Sequence, residues 1–384
     1  MGQLLAFVGL RKPPFVSMTR IGELFYEMVY DELDYDYAKS ILNFFFPYST
    51  KGSCSGIRNG NYFGRNYDWF YNNDCEFLIK IPRGKDHYAS INVASGMGIF
   101  TKFFVEKRWY FNIYKALPFI ALDGINEKGV ACSVNVVPSQ DCGITCGTNP
   151  ESKNNVSVVM LVRYILDHYD SAEKAVNDIK NNLNLTGAHS KMFNDELHYM
   201  ILDEKKTFIL EIINNKVVIN ECPKDVPPYM TNFFVTGCKR DKNGHIDLKS
   251  VTPHSCGIER YDIITDNYNN CNNYDGMLDC LKKIKFSNTY NEEMKPFWFT
   301  GYIHHAEEKG YGDLVVNDII EHPERFDRFK NDNIKSFKNR TRKKGDTYET
   351  VHTSIYDIKN KKLFLMIRED FENMLDYEVE TEIK

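Results

Sequence analysis

Cys54, Arg65 and Asp68 are the residues of this chain whose types and spacing point to chemistry. They stand in "CSGIRNGNYFGRNYDW", residues 54–69. Asn59-Gly60 tolerates the positive backbone angles of a two-residue hairpin turn. With those two residues as the loop, Cys54 faces Arg65 across the strands. Directly opposed side chains have Cβ atoms about 4.5–5.5 Å apart, and a cation at that range favours thiolate over thiol. Asp68 lies three residues beyond Arg65, where the second strand ends beside the start of the first. The spacing therefore allows a thiolate nucleophile with a fixed cation and a carboxylate nearby. Taken alone, the stretch fits a surface hairpin with a chance Arg and Asp better.

The elements that must carry these residues change texture at Cys54. Before it, residues 18–47 hold apolar and aromatic side chains at mixed three- and four-residue spacing with acids between, which predicts one or two amphipathic helices. Pro47 ends them. After Cys54 the chain turns to hairpins. "ALDGINEKGVACSVNVV" alternates around Asn126 to Gly129, "LHYMILDEKKTFILEIINNKVVIN" offers three strands, and "VHTSIYDIKNKKLFLMIR" offers two. "VSVVMLVRYILDHY" and "SAEKAVNDIKNNL" read as helices, the second with Ser171 as N-cap and Glu173 in its first turn. Further helical patterns occupy about 258–268 and 274–285. Strands grouped before and after a helical block predict an α+β protein, with packed antiparallel sheets and helices outside.

The 384 residues are 42% hydrophobic and 26% charged, the balance of a globular protein. A net charge of −5 gives no general attraction to nucleic acid or anionic membrane. The basic run "KSFKNRTRKK", residues 335–344, reads as a solvated loop. No stretch approaches the roughly 18–20 apolar residues of a membrane helix. The opening "MGQLLAFVGLRKPPF" lacks a basic n-region and a cleavage site, and Ala6 stands where myristoylation wants Ser or Thr. Ten scattered cysteines predict free thiols and a cytoplasmic protein. Cys142 and Cys146 have no second CxxC or His pair to complete a zinc site. His304 and His305, beside Glu307 and Glu308, point apart on strand or helix. GxSxG, Walker, GxGxxG, HExxH and EF-hand patterns are all missing.

The stretch "CSGIRNGNYFGRNYDW" resembles the opening of the N-terminal-nucleophile (Ntn) amidases of the choloylglycine hydrolase and penicillin V acylase family. It is also similar to the openings of isopenicillin N acyltransferase, acid ceramidase and the N-acylethanolamine amidase. "DGINEKGVACSVNVVP" resembles the family strand with an oxyanion asparagine, here Asn135. "LHYMILDEKKTFILEI" followed by "YMTNFF" resembles a later hairpin and a second active-site asparagine, here Asn232. "GIERYD" resembles the segment bearing a late arginine, here Arg260, and "HTSIYDIKNKKLFLMI" the closing hairpin. The resemblance implies a four-layer αββα fold and a catalytic set of Cys54, Arg65, Asp68, Asn135, Asn232 and Arg260. It implies a small-molecule amide substrate and no cofactor or metal, and leaves a homo-oligomer open. Plainer readings stay available to the residues themselves. Asn135 and Asn232 fit turns bonding their own backbone, Arg65 and Asp68 a surface ion pair, and Arg260 a solvated helix. Cys132 and Cys238 read as buried small hydrophobes.

In the implied chemistry the cysteine must be the first residue of the mature chain. A free α-amino group has a pKa near ~7.7–8, so it can act as base for its own side chain. Asp68 and Asn232 would hold that amine, Arg65 would favour the thiolate, and Asn135 would donate to the oxyanion. Residues 1–53 are then a helical pro-segment released at Ser53–Cys54, and residues 54–384 the catalytic domain. A segment of that length is closer to the acyltransferase and ceramidase layout than to the bile-salt and penicillin amidases. Trp69-Phe70-Tyr71 and Phe297-Trp298-Phe299 are candidates to line an acyl pocket. Three outcomes stay open: hydrolysis of a linear amide through a thioester, transfer of the acyl group to an amine, and a non-catalytic protein with Cys54 uncut.

Overall fold

The computed structural model describes residues 5–10, 15–30, 35–43, 53–70, 75–95, 117–137, 147–187, 196–251, 257–285, 287–288 and 348–382. The N-terminal stretch forms β1 (Leu5–Leu10), β2 (Phe15–Gly22), β3 (Phe25–Tyr30) and β4 (Tyr35–Asn43). It is followed by β5 (Ser53–Asn59), β6 (Tyr62–Phe70), β7 (Glu76–Ile81), β8 (Ser90–Ser95), β9 (Ala121–Asn126) and β10 (Ala131–Val137). A short β11 (Asn154–Ser157) leads into α1 (Leu161–His168) and α2 (Ala172–Asn181), then β12 (Leu183–Thr186). Three consecutive antiparallel strands come next, β13 (Glu196–Leu202), β14 (Thr207–Ile213) and β15 (Lys216–Cys222), then β16 (Tyr229–Met230). The chain continues through α3 (Ile258–Asn267), α4 (Tyr274–Lys283) and β17 (Ser287–Asn288). It closes with β18 (Tyr348–Asp357), β19 (Lys362–Ile367) and β20 (Leu375–Glu378).

Two large sheets result. One has nine strands in the order β15-β14-β13-β10-β9-β8-β7-β3-β2; the other has seven, β16-β5-β6-β18-β19-β20 with β17 also on β18. Every ladder in them is antiparallel except β3 on β7. Helices α1 and α2 bury Leu161, Ile165, Leu166, Val176 and Ile179 against Cys132, Tyr199, Ile201, Phe208 and Leu210 of the nine-stranded sheet. Helices α3 and α4 lie against the seven-stranded sheet, with Tyr261, Ile264, Met277 and Leu281 in one apolar cluster with Ile57, Phe63 and Ile355. Ion-paired side chains join the two sheets face to face, so the layers run helix, sheet, sheet, helix.

Most of the expected elements are present. Ser171 caps α2 by accepting from the Lys174 backbone N–H, and Glu173 sits in its first turn. Helix α1 starts later than its apolar run, because residues 154–157 pair in parallel with β12.

Where helices are expected over residues 18–47, the described residues 18–30 and 35–43 form strands β2, β3 and β4 instead. Tyr26, Met28 and Tyr30 on β3 are all buried in one cluster, the period-2 pattern of a strand. Dense aromatic residues satisfy both periods when read locally, and the edge of β7 decides the matter by offering a ladder to residues 25–29. The helical character expected of residues 1–53 is therefore absent among the described ones, and β2 and β3 are part of the nine-stranded sheet.

The hairpin register also differs from expectation. Gly60 and Asn61 form the loop, Asn59 pairs with Tyr62, and Cys54 pairs with Tyr67 rather than Arg65. Gly60 has φ +55° and Asn61 is not in the positive region, which is the type II′ arrangement with Gly first rather than an Asn-Gly type I′ turn. The slip is two residues, an even number, so Arg65 keeps its face and becomes a diagonal neighbour of Cys54.

Candidate active site

Arg65 and Asp68 are three apart on β6, so they project from opposite faces of the strand. That parity divides their work. Arg65 points between the sheets, and its Nη2 donates to Cys54 Sγ at 3.6 Å and to the Val134 carbonyl at 2.7 Å. Asp68 points toward the helix layer, where its Oδ2 accepts from Arg260 Nη1 at 3.1 Å and its Oδ1 from the Thr350 hydroxyl at 2.6 Å. Thr350 stands directly across the ladder from Asp68.

The backbone of Cys54 is gripped separately from its thiol. Its N–H donates to Asn232 Oδ1 at 2.8 Å, and its carbonyl accepts from Arg260 Nη1 at 3.0 Å. Arg260 Nη2 donates to the same Asn232 Oδ1 at 2.7 Å. Arg260 therefore ties Asp68, Asn232 and the Cys54 main chain into one group. It reaches them because α3 begins at Gly257, whose φ is +77° and where a Cβ would lie 2.5 Å from Arg260 Nη2. Asn232 Nδ2 donates to the Val136 carbonyl at 2.7 Å, fixing which end of the amide faces Cys54.

Asn135 lies on β10, buried, with Nδ2 donating to the Thr231 carbonyl at 3.0 Å. A carbonyl only accepts, so the amide nitrogen must be the end that faces Thr231, and its second N–H remains to donate elsewhere. All six residues singled out from the sequence are thus brought together, and each is buried.

Four further residues complete the site. Asp123 on β9 is ion-paired with Arg65, accepts from His352 Nε2 at 3.2 Å, and takes a hydrogen bond from the Tyr356 hydroxyl. His352 stacks on Tyr67 with ring centroids 5.2 Å apart, and Phe25 of β3 meets its ring edge-on. Thr350 is the fourth. A lone acid inside the apolar run "ALDGIN" and a histidine inside "VHTSIY" were the available signals, since a buried ionisable group in a strand needs a partner.

Burial raises the Cys54 thiol pKa above its ordinary value, while Arg65, Arg260 and the Asp68 backbone N–H pull it down and the Asp68 carboxylate adds to the rise. Burial pushes Asp68 up to about 6, against the opposing pull of Arg260 and Thr350. At Asp123 burial is outweighed by Arg65, His352 and Tyr356, which hold the carboxyl below the usual carboxylate range. Burial keeps His352 below its ordinary value despite Asp123, so the ring is neutral near pH 7 and Nε2 carries its proton. Cys132 lies on the outer face under α1, where burial drives its thiol far up. Burial likewise raises Cys238, to about 12. Both therefore behave as small hydrophobes.

Among the described residues no cluster of His, Cys, Asp and Glu is arranged to hold a metal ion, and no helix is long and apolar enough to cross a membrane. Cys142, Cys146, His304, His305, residues 335–344, Tyr71 and residues 297–299 lie outside the described residues.

Residues 54–233 match the sequence profile of the linear amide C–N hydrolases, choloylglycine hydrolase family. No curated protein matches the chain. Among solved structures, a variant of the conjugated bile acid hydrolase from Clostridium perfringens is similar over 85% of this chain and 92% of its own, at 13% identity and a TM-score of 0.50. That likeness is one of fold, the Ntn-hydrolase arrangement. The penicillin V acylase from Agrobacterium tumefaciens is similar over 85% of this chain and 86% of its own, at 15% identity and a TM-score of 0.37.

Proposed function

We propose that this chain, whose residues 54–233 match the choloylglycine hydrolase family of linear amide C–N hydrolases, is a cysteine amidase that cleaves the amide of an apolar acyl group. Its Cys54 becomes the N-terminal residue by self-cleavage. The observation that carries this reading is the Cys54 main-chain nitrogen, 2.8 Å from Asn232 Oδ1 in a group tied by Arg260 to Asp68. Such a site suits an α-amine that serves as the base.

Maturation begins with attack of Cys54 Sγ on the Ser53 carbonyl carbon. The carbon–sulfur bond forms, the carbon–nitrogen bond breaks, and the Cys54 nitrogen takes up a proton as it leaves. Water then hydrolyses the thioester, releasing residues 1–53 with a new carboxylate and freeing the thiol. A positioned neighbour removes much of the barrier to such a step through proximity.

Turnover repeats the chemistry on a substrate amide. The free amine takes the thiol proton, Arg65 favours the thiolate, and Sγ attacks the substrate carbonyl. Asn135 Nδ2 donates to the oxyanion, a contact whose loss elsewhere costs about 3–4 kcal/mol. The amine returns the proton to the leaving nitrogen, and water resolves the thioester.

The test is mass spectrometry of the purified chain together with hydrolysis of dodecanoyl 7-amino-4-methylcoumarin amide. Wild type should show a break at Ser53–Cys54 and release of the fluorophore. Cys54→Ala should remain one chain, fold and release none, whereas Cys132→Ala should be active. Retained turnover in Cys54→Ala would sink the assignment.

A further inference from the structure

We infer that His198, a residue outside the set that touches Cys54, is a positioning residue for the oxyanion donor Asn135, acting through the Thr231 carbonyl. The inference rests on the amidase reading above.

His198 lies on β13 directly across the ladder from Asn135 on β10. Its Nε2 is 2.8 Å from the Thr231 carbonyl, the same oxygen that accepts from Asn135 Nδ2 at 3.0 Å. That oxygen can only accept, so His198 carries its proton on Nε2. The two donors use both lone pairs of one carbonyl and leave it no freedom to turn.

The far side of the ring faces Glu211, with Nδ1 3.5 Å from Oε1. Glu211 is buried and accepts from the backbone N–H groups of Val235 at 2.7 Å and Thr236 at 2.9 Å. The Thr231 hydroxyl meanwhile donates to the Gly257 carbonyl at 2.8 Å, at the start of the helix that bears Arg260. Residues 231–236 are thus pinned to the nine-stranded sheet by Glu211 and His198, and to α3 by Thr231. Asn135 and Asn232 both depend on that pinned segment, the first by its hydrogen bond and the second by its place in the chain.

The functional consequence concerns the second N–H of Asn135. With its first N–H held by Thr231, the amide plane is set and the other N–H has one direction to point. Without the His198 donor, the Thr231 carbonyl can rotate and Asn135 can follow. Binding of substrate should be little affected, because the polar partners of His198 are Thr231 and Glu211 and not Cys54 or Arg65.

The experiment compares His198→Gln, whose amide nitrogen reproduces Nε2, with His198→Asn, whose amide nitrogen falls at Nδ1. Each is assayed with dodecanoyl 7-amino-4-methylcoumarin amide and, separately, for the rate of Cys54 alkylation by iodoacetamide, which forms no oxyanion. His198→Gln should stay near wild type. His198→Asn should lose kcat by about 10²-fold at unchanged KM, the scale of a small misplacement in an active site, with alkylation unchanged. In an Asn135→Ala background, His198→Asn should cost nothing further. If His198→Asn does not fold, His198→Met takes its place, keeping bulk without the N–H. Equal kcat in the Gln and Asn variants, or a loss that follows the alkylation rate, overturns the inference alone. A wild-type chain that is alkylated at Cys54 but hydrolyses no amide overturns the amidase reading and this inference with it.

Discussion

Arg65 on the seven-stranded sheet and Asp123 on the nine-stranded sheet form an ion pair in which neither side chain is exposed to solvent. The pair joins the inner faces of the two sheets at the point where Arg65 meets Cys54 Sγ. Removing one partner of a buried pair leaves the other charge uncompensated and costs about 3–5 kcal/mol. Asp123→Ala should therefore lose stability on that scale in denaturant unfolding. Tyr356→Phe, which removes one neutral donor to the same carboxylate, should lose only about 1 kcal/mol. Equal losses would mean that the cluster is held by packing rather than by charge.

Asn135→Ala should lower kcat by roughly 10²–10³, as removal of an oxyanion donor does, with little change in unfolding midpoint. Its Oδ1 has no partner among the described residues, so truncation leaves just one acceptor, the Thr231 carbonyl, short of a donor, and His198 still serves that oxygen. An unfolded variant whose folded fraction turns over normally would make Asn135 structural.

Asp68 predicts a pH dependence with a definite sign. Its folded value, raised by burial to about 6, lies above that of an exposed carboxylate. Its contribution to folding is thus fully present below the ordinary carboxylate range and lost as pH rises through about 6. The ionised form is the one that Arg260 pairs with. Self-cleavage should accordingly speed up as pH passes about 6, and Asp68→Asn should remove that limb. If cleavage frees the Cys54 amine, an α-ammonium would add a positive charge to the group that Arg260 ties to Asp68, so the corresponding limb of amide turnover should lie lower. A limb unmoved by Asp68→Asn would assign it to another group.

Release of residues 1–53 should leave them bound. Strand β3 makes a five-residue parallel ladder with β7, and Phe25, Met28 and Tyr30 are fully buried. Exposing each such side chain costs about 1.5–3 kcal/mol. Size-exclusion chromatography of cleaved wild type should return both fragments in one peak, separating only in denaturant. A catalytic fragment that elutes alone with full activity would show that β2 and β3 are dispensable.

How much of this was legible beforehand differs from residue to residue. Asn135, Asn232 and Arg260 were recognisable through resemblance to family segments, and Cys54 with Arg65 through the hairpin as well. Asp123, His352 and His198 were not. Each sits in an apolar strand whose local pattern says only that it is buried, and its partner lies far along the chain, Asp123 with His352 and His198 with Thr231. No local period encodes such a meeting.

The sequence by itself determined the hairpins of β9–β10, β13–β15 and β18–β19, because apolar runs of strand length separated by turn residues admit one local structure, even where both faces are buried, as on β9 and β14. It also determined that Arg65 shares a face with Cys54, since a register slip of two residues preserves side-chain parity. Only the tertiary structure decided the rest. Whether residues 25–29 were helix or strand depended on a free edge at β7, and the actual hairpin register depended on Gly60 taking the positive φ. The site itself forms where two sheets face each other and a helix starts at Gly257. Its charges are compensated by Asp123 across that gap and by Arg260 from the helix layer, because a buried ion is stable only where the fold delivers its partner.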